Sequence, residues 1–383
     1  MNYEIHTLFA GDLMLGGEYI SHAEKNNFEL LHPFRLIKPY FSDVDIIFVN
    51  LEGPLFKGHN KRPDASLILS NHAKIIEFLK NKSICIVNMA NNHIMDYGSE
   101  GLEQTIELLE KQGIYFIGAG KNKIQANQEV LIEVKGKKIA FLAYTTKERH
   151  VGSIIAGPDK PGCASLSDIQ NITKKIKYLK KTTDIVCVSL HWGYEYFSFP
   201  SSDQVKIAHA LADAGATYII GHHPHVVQGI EKYKDTLIMY SLGNLFFSPI
   251  RSIYGRPHYQ KDITKEFMLV KSEIDESLSF KFEIIGGKVK KDYVLTEYKN
   301  NDQEIFASKL DKLSKPISSH NYEQFWNTYK IKRERELRKE SLIEAFKKLS
   351  MIPLKQLIKT ITIDDIKRNV NRFINLFIRP NKT

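Results

Sequence analysis

Six short polar clusters in this sequence each follow or interrupt an apolar run, and each holds residues able to bind metal or move protons. They are Gly11-Asp12, Asn50-Leu51-Glu52, Ala90-Asn91-Asn92-His93, His191-Trp192-Gly193, Gly221-His222-His223-Pro224-His225 and Ser241-Leu242-Gly243-Asn244. Carboxylate, amide oxygen and neutral imidazole are ligands for divalent ions such as Mn, Fe and Zn. No thiolate belongs to the set, which argues against a structural zinc. Two ions about 3.5–4 Å apart clamp the attacking and departing oxygens of a displacement at phosphorus, and turn a bound water into a nucleophile near neutral pH. Taken singly, the clusters have plain readings. Asp12 can be a turn residue after a strand, Asn50 and Glu52 can cap the next turn, and His191 can be a hydrogen-bonded core histidine. The His223-Pro224-His225 run is more specific, because proline fixes the backbone between two imidazoles. Together the clusters point to a metal-dependent hydrolase of the phosphoesterase type.

Such clusters need strands to carry them. Apolar runs rich in Val, Ile and Phe predict strands over 5–9, 46–49, 84–88, 115–117, 139–143, 185–189, 218–220 and 237–241. Several are near-continuous hydrophobics, as strands covered on both faces are. Segments of helical period at 72–80, 101–112, 167–181 and 202–214 fall between them, with Gly113 and Gly215 where C-caps belong. This alternation predicts an α/β layered domain. In open α/β sheets, ligands bind beyond the carboxyl ends of the strands. From about 265 the pattern turns β-rich, with strands expected at 266–271, 279–285 and 288–295. From about 300 it is helical and highly charged. The expected organisation is a domain over 1–298 and a basic, helical extension over 299–383.

The chain has 383 residues, 43% apolar and 26% charged, enough for a large core. A formal net charge of +10 fits an anionic substrate, an anionic membrane face or a plain solvated surface. No basic platform interleaved with aromatics stands out, so no nucleic-acid partner is expected. Of three cysteines, Cys85 and Cys187 lie in apolar runs and are expected in the core, whereas Cys163 follows Pro161-Gly162 in an expected loop. No paired framework suggests a disulfide scaffold. No signal peptide and no run of about 18 apolar residues is visible, which makes the cytoplasmic side the expected location. Over 352–377, Ile, Leu, Val and Phe recur at roughly helical spacing among Lys and Arg. This segment reads as a helix packed on the domain or a second subunit, with peripheral contact at the inner membrane face as the other reading. Specificity is expected from loops at 57–66, 147–164, 197–202 and 248–265, where Arg62, Lys147, Arg149, Arg251 and Arg256 are candidate anion contacts.

The ordered motifs Gly11-Asp12-Leu13-Met14-Leu15, Asn50-Leu51-Glu52, Ala90-Asn91-Asn92-His93 with Asp96 and Gly98, His191-Trp192-Gly193 with Glu195, Gly221 to His225, and Ser241 to Asn244 resemble the CapA family. These are poly-γ-glutamate capsule biosynthesis proteins within the calcineurin-like metallophosphoesterase superfamily. The resemblance covers roughly residues 3–250. It implies a four-layer α/β/β/α sandwich with a two-metal site at one edge. By motif position, Asp12 and His225 would hold one ion, and Asn92, His191 and His223 the other. Glu52 would take the bridging position with Asn50 close by. His93 would act near the leaving group as a general acid or electrostatic stabiliser, and Glu195 would orient His191 or the substrate. Asn244 and His222 are read as substrate contacts. The superfamily usually places a histidine two residues after the first aspartate, where this chain has Met14, and an aspartate where it has Glu52. The family context implies an anionic polymer or phosphoester substrate, and partners in capsule or polysaccharide synthesis. A non-catalytic accessory subunit is the alternative.

Overall fold

A computed structural model describes residues 4–56, 58–59, 61–80, 82–147, 151–254, 257–258 and 261–350, of which 257–258 and 344–350 by backbone alone. Arg149, Arg256 and the basic apolar segment at 352–377 lie outside the described residues.

Two sheets carry the fold. The first is built on β1 (Ile5–Met14), β2 (Ile46–Leu51), β3 (Ile84–Asn88) and β4 (Tyr115–Ile117), neighbours in that order and mutually parallel. The second contains β5 (Val130–Val134), β6 (Lys137–Thr145), β7 (Ile185–His191), β8 (Tyr218–His222), β9 (Ile230–Tyr233) and β10 (Thr236–Met239), ordered β9-β10-β8-β7-β6-β5. Its centre, β6, β7, β8 and β10, is parallel. The chain then returns to the first sheet. There β11 (Asn244–Phe247) pairs in parallel with the far half of β1, and β12 (Glu266–Ile274) pairs antiparallel with its near half. The edge is completed by β13 (Phe280–Val289) and β14 (Leu295–Glu297).

Period-two alternation decides the layers. Ile5 and Phe9 of β1, Phe48 of β2 and Ile86 of β3 face the second sheet and meet Phe141, Cys187 and Ile220. Phe48 and Phe141 stack with ring centroids 5.9 Å apart across this interface. Leu8, Ile47, Val49, Cys85 and Val87 face the other way, toward helices α1 (Gly17–Lys25) and α2 (Gly98–Lys111). Helices α3 (Ile169–Thr182) and α4 (Ser202–Asp213) cover the outer face of the second sheet with Ile172, Ile176, Val205 and Leu211 buried. The result is a four-layer α/β/β/α sandwich. Each fully buried Phe or Leu in it contributes roughly 1.5–3 kcal/mol.

Several expectations shift. The helix expected over 72–80 shortens to Ile75–Leu79, because His72 N is drawn to Leu15 O at 2.7 Å. The strand expected over 288–295 is broken: 288–289 end β13 and 295 begins β14, with a turn over 290–294 closed by Lys290 N to Val294 O at 2.9 Å. Gly113 and Gly215 do follow their helices with left-handed φ of +69° and +109°. Cys163, expected in a loop, stands in the short strand Gly162–Cys163 and is buried, with Sγ 3.3 Å from Asn91 O.

The chain divides into compact units at 1–326 and 327–383. The boundary expected at 298/299 therefore falls inside the first unit. Helix α5 (Asn301–Ser314) explains this: its Phe306 and Leu310 join the inter-sheet core. Within the first unit, Trp326 lies against Phe197 and Tyr194. The second unit begins within the helix Tyr322–Ser350, where Arg333 meets Glu336 and Glu340 at 3.2 and 3.0 Å. Among the described residues, no helix is long and apolar enough to cross a membrane.

Candidate metal centre

Asp12 stands inside β1, where the strand's pairing with β2 is irregular between Phe9 and Asp12. That irregularity changes which way the later side chains face. The motif glycines permit the approach of backbones around it. A Cβ on Gly11 would stand 2.0 Å from Gly243 O, and one on Gly221 would stand 1.9 Å from Tyr240 O. The ends of β1 and β8, from different sheets, are thereby brought together. His222 Nδ1 donates to Asp12 Oδ1 at 3.1 Å, and His223 N donates to Asp12 Oδ2 at 3.3 Å. His223 and His225 flank Pro224 with φ of +95° and +57°. Such left-handed backbone is costly in non-glycine residues and concentrates at functional sites.

Buried amides hold the carboxylates. Asn50 Nδ2 donates to Asp12 Oδ1 at 2.8 Å, while Asn50 Oδ1 accepts from Asn88 and Asn91 at 3.0 and 3.2 Å. Asn71 Nδ2 donates to the backbone carbonyls of Glu52 and Gly53, each at 3.0 Å, and its Oδ1 accepts from Leu15 N at 2.8 Å. Glu52 itself is different. It is fully buried, and neither of its carboxylate oxygens accepts a hydrogen bond among the described residues. His225 Nε2 approaches one of them only to 3.6 Å. His191 donates through Nε2 to Asn92 Oδ1 at 2.8 Å, which leaves its buried Nδ1 without a hydrogen-bond partner among the described residues. Buried polar atoms normally find partners, and two orphaned carboxylate oxygens beside an orphaned imidazole lone pair are what a cation satisfies.

The ligand-capable atoms fall into two groups. Asp12, Glu52 and His191 bring one atom each within 4.8 Å of one another, and so do Glu195, His223 and His225. The expected pairs remain neighbours beside these sets, since His225 Nδ1 lies 3.3 Å from Asp12 Oδ2, and Glu195, expected to orient, joins the ligand-capable residues. The rings of His191 and His223 remain close, with centroids 4.8 Å apart.

The charges reflect this crowding. Burial opposes ionisation of Asp12, but hydrogen bonds from His222 and His225 outweigh it and hold the carboxyl well below its usual range. Burial pushes the Glu52 carboxyl up to about 8, against the opposing charge of His225 and with Asp12 and Glu195 adding to the rise. Burial works against charge on His225, but Glu52 and Asp12 carry its imidazole up to about 10. His191 is held well below its ordinary value by burial and by the charge of His223. His93 is raised, since Asp96 overcomes the burial that opposes its charge. The His93 Nδ1 to Asp96 Oδ2 distance is 2.7 Å, and the same carboxylate oxygen accepts from Leu69 N at 2.7 Å.

Three residues expected at the site take other places. Asn50 has both ends of its amide committed to Asp12, Asn88 and Asn91, which makes it a positioning residue for Asp12. His222 is fully buried behind Asp12, its ring 6.2 Å from Phe48, and is not a substrate contact. Asn244 lines the adjoining cavity, but its Oδ1 accepts from His225 Nδ1 at 2.9 Å and its Nδ2 donates to Thr264 O at 3.0 Å, so it orients His225. Asn71 and Asn88 were not singled out from the sequence. Asn88 closes an apolar strand run, a signal that could have found it. Asn71 carries no linear signal. Of the candidate anion contacts, Arg62 is paired with Asp64 and also reaches Asn92 O at 3.3 Å, and Arg251 is paired with Glu18.

Residues 6–249 match the family model described as "Bacterial capsule synthesis protein PGA_cap". The chain belongs to this capsule synthesis family. A relative described as "PGA biosynthesis protein CapA", from Bacillus subtilis, is 33% identical over 276 residues, 70% of this chain and 71% of that protein. Another, "Capsule biosynthesis protein CapA" from Bacillus anthracis, is 33% identical over 254 residues, 64% of this chain and 60% of that protein. A solved structure described as a novel phosphatase of Mycoplasma pneumoniae is 17% identical with a TM-score of 0.46, over 79% of this chain and 98% of that one. The PGA_cap match takes in every motif that supplies the centre, from Asp12 to Asn244, and stops short of β12 to β14 and everything after them.

Proposed function

We propose that this chain is a metal-dependent hydrolase of the phosphoesterase type, acting in the synthesis of a capsule or related anionic polymer. The observation that carries the chemistry is Glu52, a fully buried carboxylate whose two oxygens meet no hydrogen-bond donor among the described residues. The polymer context comes from the family and from the names of the Bacillus relatives.

Asp12, Glu52 and His191 would hold one divalent ion, and Glu195, His223 and His225 a second, with Asn92 beside His191. Mn, Fe and Zn all suit such a mixed nitrogen and oxygen set. Bound there, two divalent ions supply Lewis-acid stabilisation and an activated water. The chain's own residues do the rest. His222 and His225 keep Asp12 ionised, and Asn50 helps to aim it. Asn244 fixes the tautomer of His225. His93, with Nδ1 turned to Asp96, presents Nε2 as the proton donor for a departing oxygen, and its raised pKa keeps that proton available near neutrality. The substrate is an anionic polymer or a phosphoester of its synthesis, handled together with other capsule or polysaccharide enzymes. Contact with an anionic membrane face would come from the basic segment near the end of the chain.

The test joins metal content of the purified protein to hydrolysis of a generic aryl phosphodiester with added manganese. About two ions per chain, with turnover abolished in His223→Ala, are the expected results. The second reading is a non-catalytic accessory subunit. Met14 favours it, since this side chain occupies the position of a superfamily histidine and is buried with Leu69 and Ile250 in an apolar cluster. Metal-free protein, inactive with every divalent ion tried, would decide for that reading.

A further inference from the structure

The cavity beside the proposed centre has a second character. It encloses about 50 Å³, and His93, Glu195 and His225 open onto it. Leu67, Phe247 and Ile250 make one side apolar, continuous with the cluster that buries Met14. Lys261 also lines it, with Nζ 4.8 Å from the centroid of the Tyr196 ring.

Lysine and tyrosine are both tied to the centre. Thr264 N and Oγ1 donate to Lys261 O at 3.0 and 2.8 Å. Thr264 O accepts from Asn244 Nδ2 at 3.0 Å, and Asn244 Oδ1 accepts from His225 at 2.9 Å. A short relay of hydrogen bonds thus joins the backbone of Lys261 to a ligand-capable imidazole. On the other side, Tyr196 N donates to Pro224 O at 2.9 Å, between His223 and His225. Tyr196 also holds a left-handed φ of +65°, a conformation that a bulky side chain adopts only where its surroundings impose it. An ammonium over an aromatic face is a compact point charge with a defined place. Here that place is the wall of the reaction cavity.

We propose that Lys261, seated on Tyr196, forms a subsite for an anionic group of the substrate, carboxylate or phosphate, next to the bond presented to the metal centre. The apolar wall takes the hydrocarbon that joins the two. The subsite rests on the metal-centre reading for its meaning, but its binding can be measured separately.

The experiment is calorimetric binding to the full chain with manganese present. Three phosphinates serve as probes, since they keep the charge of a phosphodiester and have no ester bond to break. They share one propyl arm, ending in a carboxylate, a phosphonate or a neutral carboxamide. The wild-type chain is expected to bind the charged-arm probes about tenfold more tightly than the carboxamide, the scale of one hydrogen bond to a charged group. The tighter of the two identifies the anion. Lys261→Ala removes the preference while manganese stoichiometry stays unchanged, and Lys261→Arg retains it. Equal binding of all three probes by the wild type, or a preference that survives Lys261→Ala, overturns the subsite. A chain that takes up no manganese yet still discriminates through Lys261 keeps the subsite and rejects the metal reading.

Discussion

At the scale of the residue, the centre is a problem of which polar atoms are already committed. Asn50 shows the point. Its amide joins Asp12 to Asn88 and Asn91, so Asn50→Ala frees Asp12 to turn and strands two buried amides. Metal affinity is expected to fall about 10- to 100-fold, as when other outer partners of ligands are removed. Metal titration by calorimetry checks this, and unchanged affinity would return Asn50 to a passive role. Protonation gives a second prediction. In metal-free protein, Glu52 lies up at about 8 and His225 at about 10, above their ordinary values of 4.5 and 6.5. The charge of Glu52 is part of what raises His225, so the two titrate as a pair that holds at least one proton at pH 7. Stability from these shifts is fully present below the ordinary values and is lost as pH rises through the raised ones. The thermal midpoint of metal-free protein should thus fall between pH 7 and pH 10. Ion binding needs the deprotonated forms, so affinity should rise over the same range and protons should be released at pH 7. Calorimetry in two buffers of different ionisation enthalpy reads that release directly, and a value of zero would contradict it.

At the scale of the element, glycine at the strand ends lets the two sheets close on one site. Gly221 has extended backbone, and its lack of a side chain matters because Tyr240 O would lie 1.9 Å from a Cβ. Gly221→Ala must push β8 away from the segment after β10. A loss of about 1–3 kcal/mol or more is expected from denaturant unfolding, with weakened metal binding, because His222 and His223 move with the strand. Strand positions in the sequence were readable because periodicity is local. Cluster residues at 191 and 222 do end their strands. Asp12 and Asn50 do not, since β1 and β2 continue to Met14 and Leu51. The irregular pairing near Asp12 depends on its neighbour strands and has no signature in β1 alone.

At the scale of the whole molecule, the first compact unit is larger than its motifs. Phe306 and Leu310 of α5 lie in the inter-sheet core, and Phe306 fills the space left by Gly286. A chain ending at 298 would lose both side chains, each removal costing about 2–5 kcal/mol. It is expected to unfold or melt far below the full chain, whereas a chain ending just after Trp326 keeps its midpoint. Equal midpoints for both truncations would show α5 to be dispensable. The charged composition after 300 suggested an extension, because a helix burying one stripe shows mostly its solvent face in composition.

The sequence by itself determined the ligand-capable residue types, their order along the chain and the strands that deliver them. Each of these is a local property, carried by side-chain chemistry or by a period of two. It also placed the chain by its motifs in the family that residues 6–249 match. Tertiary structure alone decided how the ligand-capable atoms divide, with Glu195 joining His223 and His225, and which polar atoms are committed elsewhere. The reason is distance along the chain. Asp12 and His222 touch across 210 residues, and Asn92 and His191 across 99. Partnerships of that span are set by how two sheets meet, which no single segment specifies.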